Sequence, residues 1–250
     1  ALMGAYLIET YQPTLTAIHL IAVDHFEHDD GRDSLMVRRA LASADTAVGE
    51  LLDAAKRAGI AEQTTFIITG DHGFFDVHSA LAPNVWLAEA GLMAPQRDRG
   101  DWRATFHTAS ASAFLHLRDP ADSGAVGIVR KVLAEVPAEL RRLFRIIERD
   151  ELDRLGADPN AVLALSPMPG VSMSSSARGN ALRRASGGNH GFHPDYPELY
   201  TGFVAAGPAI ESGLTVHRME LVDVAPTIAA LLGLDLPDVD GSAYPGMLTR

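Results

Sequence analysis

The sequence contains no cysteine among its 250 residues. Disulfide bonds and cysteine-based zinc sites are therefore excluded, and any metal ion must be held by histidines and carboxylates. Positive charge is also scarce, because 21 lysines and arginines face 32 acidic residues and the formal net charge is −11. This balance argues against a partner that is a nucleic-acid polymer, whose binding surfaces are normally basic. Nucleotides remain open as ligands, because metal ions can supply positive charge locally.

Long apolar runs are absent as well. No segment reaches the ~20 apolar residues that a membrane-spanning helix needs, so no membrane partner is predicted. No signal peptide is visible, but the chain begins Ala1-Leu2-Met3 rather than with an obvious natural start. The compartment therefore stays open between periplasmic or secreted and cytoplasmic. With 47% apolar residues, the chain is expected to form one large α/β domain, or a domain with a small cap.

Hydrophobic patterns in the first third of the chain predict a strand, a helix and a second strand. Residues 16–23 form a short apolar run, which is typical of a buried strand, and a polar loop follows over 24–33. Apolar residues then recur at helical spacing over 41–55, and 64–69 is the next predicted strand. This order predicts a parallel βαβ unit, in which ligands collect beyond the carboxyl ends of the strands.

The rest of the chain is predicted to alternate between short helices and strands. Residues 166–189 show the weakest pattern and indicate a long loop, interpreted as a lid. The predicted elements are a helix over 84–90, a strand over 110–117, a helix capped by Ser123, a strand over 200–206 and a helix over 221–232.

Three short clusters contain residues that bind metals. Asp24 and His28 follow the first predicted strand, Asp71 and His72 follow the second, and His190 lies in a Gly-Asn-His-Gly turn. Each cluster alone has an ordinary interpretation as a solvated loop, a turn or a surface histidine. Together they provide imidazole and carboxylate ligands, which suit zinc, with manganese and iron as competitors. Two ions ~4 Å apart can clamp the attacking and leaving oxygens of a phosphoryl transfer.

The order and context of these clusters resemble the nucleotide pyrophosphatase/phosphodiesterase branch of the alkaline phosphatase superfamily. The resemblance covers nearly the whole chain and is weakest over about 95–185. It implies an α/β fold, an alkaline-phosphatase-like sandwich with a mostly parallel central sheet and a small cap. The residues that match the family pattern are Asp24, His28, Asp45, Asp71, His72 and His190, followed by the tail segments 200–208 and 222–234.

The resemblance also implies a site with two Zn²⁺ ions. One ion is expected on Asp24, His28 and His190, and the other on Asp71 and His72. The implied activity is that of a type I phosphodiesterase/nucleotide pyrophosphatase, which acts through a phospho-enzyme on a small-molecule phosphate ester or nucleotide. In addition, His107 lies between two apolar stretches and is a candidate for the substrate pocket.

The catalytic nucleophile is not found in these residues. The family uses a threonine or serine and one further aspartate, both upstream of the first cluster. We therefore expect residues 1–250 to be a single catalytic domain that lacks its N-terminal part, with a cap-like insertion over about 95–185. A missing N-terminal segment or a complementary chain is expected to supply the nucleophile. The lesser alternative is a local hydroxyl such as that of Ser34.

Other interpretations remain open at this point. One is a related member of the superfamily with another substrate, such as a phosphonoacetate hydrolase, phosphomonoesterase, sulfatase or phosphomutase; the Cys/Ser-x-Pro-x-Arg motif of sulfatases is not seen. Another is a non-catalytic metal-binding module that lacks its nucleophile. The third is a plain scaffold in which the histidine and aspartate clusters are coincidental, and measurement of bound metal distinguishes it from the others.

Overall fold

The computed structural model describes residues 1–94 and 101–249. The α-helices are α1 (Leu2–Tyr11), α2 (Ala22–Asp30), α3 (Leu35–Arg57), α4 (Pro83–Glu89), α5 (Ser123–Glu135), α6 (Ala138–Arg141), α7 (Arg149–Arg154) and α8 (Val224–Leu231). The strands are β1 (Phe66–Thr69), β2 (Phe75–Leu81), β3 (Ala104–Ala109), β4 (Ser112–Leu117), β5 (Phe144–Ile147), β6 (Ala164–Pro167), β7 (Gly170–Met173), β8 (Leu182–Arg184), β9 (Gly188–Asn189) and β10 (Phe203–Ala206). Short 3-10 helices lie at Ala61–Gln63, Pro197–Leu199 and Leu221–Asp223.

The first of two compact units comprises residues 1–20, 42–71 and 201–249. Its strands β1 and β10 form an antiparallel pair, in which Phe66 lies opposite Ala206 and Thr69 opposite Phe203. A small apolar core joins α1 to α3, because both helices direct aliphatic side chains to a shared face. The buried residues of this core are Ala5, Ile8, Leu51, Ala54 and Ala55.

The second unit comprises residues 21–41 and 72–200 and contains the larger core. Strands β3, β4, β6 and β5 form an antiparallel sheet in that order. Strand β2 pairs in parallel with β7 and antiparallel with β8 and β9. The largest fully buried side chains of the main core are Leu81, Leu87, Leu92, Phe106, Leu115, Val129, Leu133, Leu163, Leu165 and Val171.

The predicted α/β class is confirmed, but parallel pairing is limited to β2 and β7 among the strands described. The strand predicted over 16–23 is wrong. Residues 16–21 have no regular structure, and α2 begins at Ala22. Most of this segment is exposed, and no described strand pairs with it. A lone strand leaves its backbone groups without partners, so the βαβ unit predicted from this run does not form.

Several other predictions hold. The helices predicted over 41–55, 84–90 and 221–232 and the strands over 64–69, 110–117 and 200–206 are present with shifted ends. The cap of α5 is Asp122 rather than Ser123, because its side chain accepts a hydrogen bond from the Ala125 amide. The loop prediction over 166–189 is wrong in part, because this stretch contains β7, β8, β9 and the end of β6.

The single-domain organisation and the cap over about 95–185 remain predictions, and residues 95–100 lie outside the described part of the chain. No helix within 1–94 and 101–249 combines the length and apolar character needed to cross a membrane.

The side chain of Asn84 forms hydrogen bonds with the free edge of strand β3. Its side chain is fully buried, accepts a hydrogen bond from the Phe106 amide at 2.8 Å and donates to the Phe106 carbonyl at 2.9 Å. Asn84→Ala leaves both backbone groups without these partners, so we expect the free energy of unfolding to fall by about 2 kcal/mol. Urea unfolding followed by tryptophan fluorescence measures this, since Trp86 and Trp102 both lie in the second unit.

The matched control for this prediction is Asn160→Ala. Asn160 is exposed, and its side-chain amide donates only to Asp158 among the hydrogen bonds described. Its replacement is expected to change the unfolding free energy by less than about 0.5 kcal/mol. Similar losses in the two variants would contradict the role assigned to Asn84.

Candidate metal centre

Helix α2 carries the first two candidate ligands. Asp24 and His28 are four residues apart, so they lie one turn apart on the same face of the helix. The Oδ1 atom of Asp24 is 3.6 Å from the Nε2 atom of His28. The loop predicted over 24–33 is wrong for most of its length, because α2 extends to Asp30. A helix explains the approach of Asp24 to His28 better than a loop does, because a helical turn fixes the distance between the two side chains.

Strand β9 brings His190 to the same place. The strand pairs with the start of β2, and the segment before it crosses the C-terminal end of α2. A Cβ atom at Gly187 would overlap the carbonyl oxygen of His28, and one at Gly188 would lie 2.6 Å from the carbonyl oxygen of Glu27. Glycine is therefore required at both positions for this close approach.

A backbone carbonyl orients the imidazole of His28. The Nδ1 atom of His28 lies 3.1 Å from the carbonyl oxygen of Gly188. Because a carbonyl oxygen can only accept a hydrogen bond, Nδ1 must carry the proton and donate it. The Nε2 lone pair then points toward Asp24. This is the arrangement in which histidines bind metals, with the second ring nitrogen held by an outer partner.

One carboxylate oxygen forms the centre of the cluster. The Oδ1 atom of Asp24 is 3.6 Å from Nε2 of His28 and 3.9 Å from Nε2 of His190. Ligand atoms of these three residues all lie within 4.8 Å of one another. The Nε2 atom of His72 is 4.0 Å from the same oxygen, and its ring stacks on that of His190 with centroids 3.7 Å apart. Four of the five predicted ligands therefore lie together.

Phe74 packs against the imidazoles of this cluster. The residue is 1% exposed, and its ring centroid lies 4.8 Å from that of His28 and 5.1 Å from that of His190. An apolar neighbour lowers the local dielectric and strengthens the interaction between charged groups. The sequence analysis did not single out Phe74. Its position directly after the Asp-His-Gly turn is the one signal for it in the sequence.

Two further carboxylates lie on α2 or bond to the backbone that follows it. Burial raises the pKa of Glu27 to about 6, and the neighbouring carboxylate of Asp24 adds to this rise. Asp76 accepts a hydrogen bond from the Arg32 amide at 2.8 Å, directly after the end of α2. Gly31 ends the helix with a φ of 85°, a conformation that favours glycine. Asp76 was not predicted from the sequence, because its partner is 44 residues away along the chain.

Asp71 and His107 are the remaining residues that were predicted to belong to the site. Asp71 ends a segment of the first unit and directly precedes His72, and its place on a second ion stays a prediction. His107 is exposed on β3, and its ring centroid lies 6.2 Å from that of His116. The role of His107 in substrate binding also stays a prediction.

The donors on α2 and directly after β9 fit a divalent ion such as zinc. Zinc binds histidine nitrogens and carboxylate oxygens at ~2.1 Å, which puts two ligand atoms of a tetrahedral site about 3.4 Å apart. The separations of 3.6 and 3.9 Å from Asp24 Oδ1 are close to this value. The side chains of Asp24, His28 and His190 are 43%, 36% and 21% exposed, so an ion can reach them from solvent.

Comparison with known proteins identifies the family of the chain. A family model for type I phosphodiesterase/nucleotide pyrophosphatase matches residues 2–192. Two curated relatives, ectonucleotide pyrophosphatase/phosphodiesterase family member 7 of Mus musculus and of Rattus norvegicus, are each 24% identical over 249 and 243 residues. These matches cover 94% of this chain and 50% of each relative. The chain thus spans about half the length of the curated relatives it matches.

Solved structures share the fold. Murine ectonucleotide pyrophosphatase/phosphodiesterase 5 superposes with a TM-score of 0.70 at 22% identity, covering 90% of this chain and 56% of that one. The human protein superposes with a TM-score of 0.71 at 19% identity, covering 91% and 56%. An inactive murine variant in complex with AMP gives a TM-score of 0.69 at 21% identity. The chain therefore belongs to the type I phosphodiesterase/nucleotide pyrophosphatase family of the alkaline phosphatase superfamily.

Proposed function

We propose that this chain supplies Asp24, His28 and His190 to a divalent-metal site in a hydrolase that cleaves phosphate esters. The observation that supports this proposal is the convergence of three ligand atoms from α2 and the turn after β9 within 4.8 Å. An inert scaffold has no chemical need to bring two imidazoles and a carboxylate so close together. Family membership gives independent support for phosphate-ester chemistry.

The residues around the site have separate tasks in this proposal. Asp24 supplies negative charge, and the carbonyl of Gly188 holds His28 in the tautomer that leaves Nε2 available. Asp71 and His72 are proposed to hold a second ion. Zinc suits these ligands, and manganese and iron compete with it. Bound divalent ions polarise phosphoryl oxygens and stabilise negative charge on the attacking and leaving oxygens.

The substrate class that we propose is a phosphodiester or nucleotide. The family description names both activities, and the inactive variant of murine ectonucleotide pyrophosphatase/phosphodiesterase 5 was solved in complex with AMP. The route is expected to pass through a phospho-enzyme, with a threonine or serine as the nucleophile. We place that nucleophile outside these 250 residues, on an upstream segment or a complementary chain. The chain spans half the length of its curated relatives, which leaves room for such a segment.

The substrate preference is testable with nitrophenyl esters. We expect the complete enzyme to hydrolyse a nitrophenyl phosphodiester with a higher kcat/KM than the nitrophenyl monoester or sulfate. The physical reason is that a site for diesters must accommodate the second ester group, which a monoester cannot use for binding. A higher kcat/KM on the monoester would favour a phosphomonoesterase and overturn this preference.

The dependence of turnover on metal tests the proposed site directly. Chelation is expected to abolish turnover by the complete enzyme, and Zn²⁺ is expected to restore it. The isolated 250 residues are expected to bind the ion, as measured by elemental analysis, without turning over the diester. Full turnover by the isolated chain would show that the nucleophile lies within it. A chain that binds no metal under any of these conditions would refute the proposed site.

A further inference from the structure

The turn between β3 and β4 is attached to the segment that carries His190. The amide of Ala111 donates to the carbonyl of His190 at 2.8 Å, and the hydroxyl of Ser112 donates to the carbonyl of Gly191 at 2.6 Å. Gly191 has a φ of 73°, and a Cβ atom there would lie 2.9 Å from the Cβ of Ser110. The turn therefore packs so closely against the segment with His190 that position 191 has no room for a side chain.

Ser110 lies at the tip of this turn in an unfavourable backbone conformation. Its φ is 50°, which is uncommon and strained for a residue other than glycine. The hydrogen bonds of Ala111 and Ser112 hold the turn in place, and neither bond involves the hydroxyl of Ser110. A glycine would adopt this conformation without strain, so the presence of serine needs another reason.

The side chain of Ser110 points to the ring of His190. Its Oγ atom lies 3.2 Å from Nε2 of His190, the same nitrogen that faces Asp24. Two atoms bound at ~2.1 Å to one tetrahedral ion lie about 3.4 Å apart. The Oγ–Nε2 separation is therefore close to the separation of two ligands of one ion.

We propose that Ser110 contributes its hydroxyl group to the metal site. Its Oγ atom would then be a ligand of the ion that His190 holds. This inference rests on the metal site proposed above. An ion bound to Nε2 of His190 takes up the lone pair of that nitrogen, so the hydroxyl can no longer donate to it. The hydroxyl oxygen then lies beside the ion and is available as a neutral ligand. Residues in strained backbone conformations of this kind occur preferentially at functional sites.

The absence of cysteine from the sequence allows a specific test. Ser110→Cys introduces the single thiol of the chain at the proposed position, and Co²⁺ replaces zinc as a spectroscopic probe. A thiolate that binds cobalt produces a sulfur-to-metal charge-transfer band in the near ultraviolet. We expect this band for Ser110→Cys at one equivalent of Co²⁺. The matched control is Ser112→Cys in the same turn, whose side chain bonds to a backbone carbonyl rather than to the imidazole.

The results expected from the two cysteine variants differ. A band in Ser110→Cys and none in Ser112→Cys supports the proposal. Cobalt binding by Ser110→Cys without a charge-transfer band overturns it and leaves the metal site intact. A band of equal strength in both variants also overturns it. Such a result would show only that a thiol anywhere in this turn can reach the ion. If the unmodified chain binds no cobalt, both this inference and the proposed function fail.

A second variant tests the hydroxyl itself without introducing a new ligand. Ser110→Gly relieves the backbone strain, so the variant is expected to fold at least as well as the unmodified chain. Its affinity for Zn²⁺, measured by titration calorimetry, is expected to fall about tenfold, the lower end of the effect of groups that support metal ligands. An increase in affinity would show that the hydroxyl only competes with the ion for Nε2, and would overturn the proposal.

Discussion

Replacing Asp24 with asparagine is expected to remove most of the metal affinity of this chain. Its Oδ1 atom lies within 4.0 Å of Nε2 of His28, His72 and His190. The amide keeps the shape of the side chain but removes the negative charge that attracts a divalent ion. We expect the zinc affinity to fall by more than the 10–100-fold that is typical of changes to outer partners of metal ligands. Titration calorimetry with Zn²⁺ measures the change.

Helix α2 also contains a matched control. Asp29 lies 3.6 Å from His25, also four residues away, and both side chains are about two-thirds exposed, at 65% and 64%. This pair repeats the spacing of Asp24 and His28 without the third ligand. Asp29→Asn is expected to change zinc affinity by less than about threefold, because exposed charge pairs contribute little. An equal loss in both variants would mean that the ion binds along the outer face of α2 and not at the predicted site.

The identity of the candidate ligands was predictable because it depends on residue types and their order along the chain. Asp24 and His28 keep the spacing of four residues whether the segment is a loop or a helix. The local structure was harder to predict. The run 16–23 is apolar enough for a buried strand, but strand formation depends on a partner elsewhere in the chain. No described strand pairs with it, so the pattern alone was misleading.

Long-range contacts explain most of what the sequence analysis missed. Ser110 lies 80 residues before His190, and nothing in a run of small residues indicates that its hydroxyl meets an imidazole. Asn84 likewise binds the backbone of Phe106 from 22 residues away. Strands β7, β8 and β9 lie in the stretch predicted as a loop, since glycine and serine hide the alternation that marks a strand. These features follow from tertiary packing, which a local pattern does not encode.

The glycine at position 187 is expected to be essential for the structure that holds the site. Its φ is 87°, and a Cβ atom there would overlap the carbonyl oxygen of His28 and lie 3.2 Å from that of Asp29. Gly187→Ala therefore combines a left-handed backbone with a steric clash against helix α2. We expect the free energy of unfolding to fall by about 3–4 kcal/mol, at the upper end of common single substitutions. Urea unfolding followed by the fluorescence of Trp86 and Trp102 measures this loss in the second unit.

Gly179→Ala separates the two causes of this loss. Gly179 has a similar φ of 77°, but a Cβ atom there would meet nothing within 4 Å. Its replacement is expected to cost only the backbone strain, about 1–2 kcal/mol. The difference between the two variants then measures the clash with the end of α2, where His28 is held by the carbonyl of Gly188. Equal losses would mean that α2 and the segment before β9 do not approach each other this closely, and the shared position of His28 and His190 would lose its structural basis.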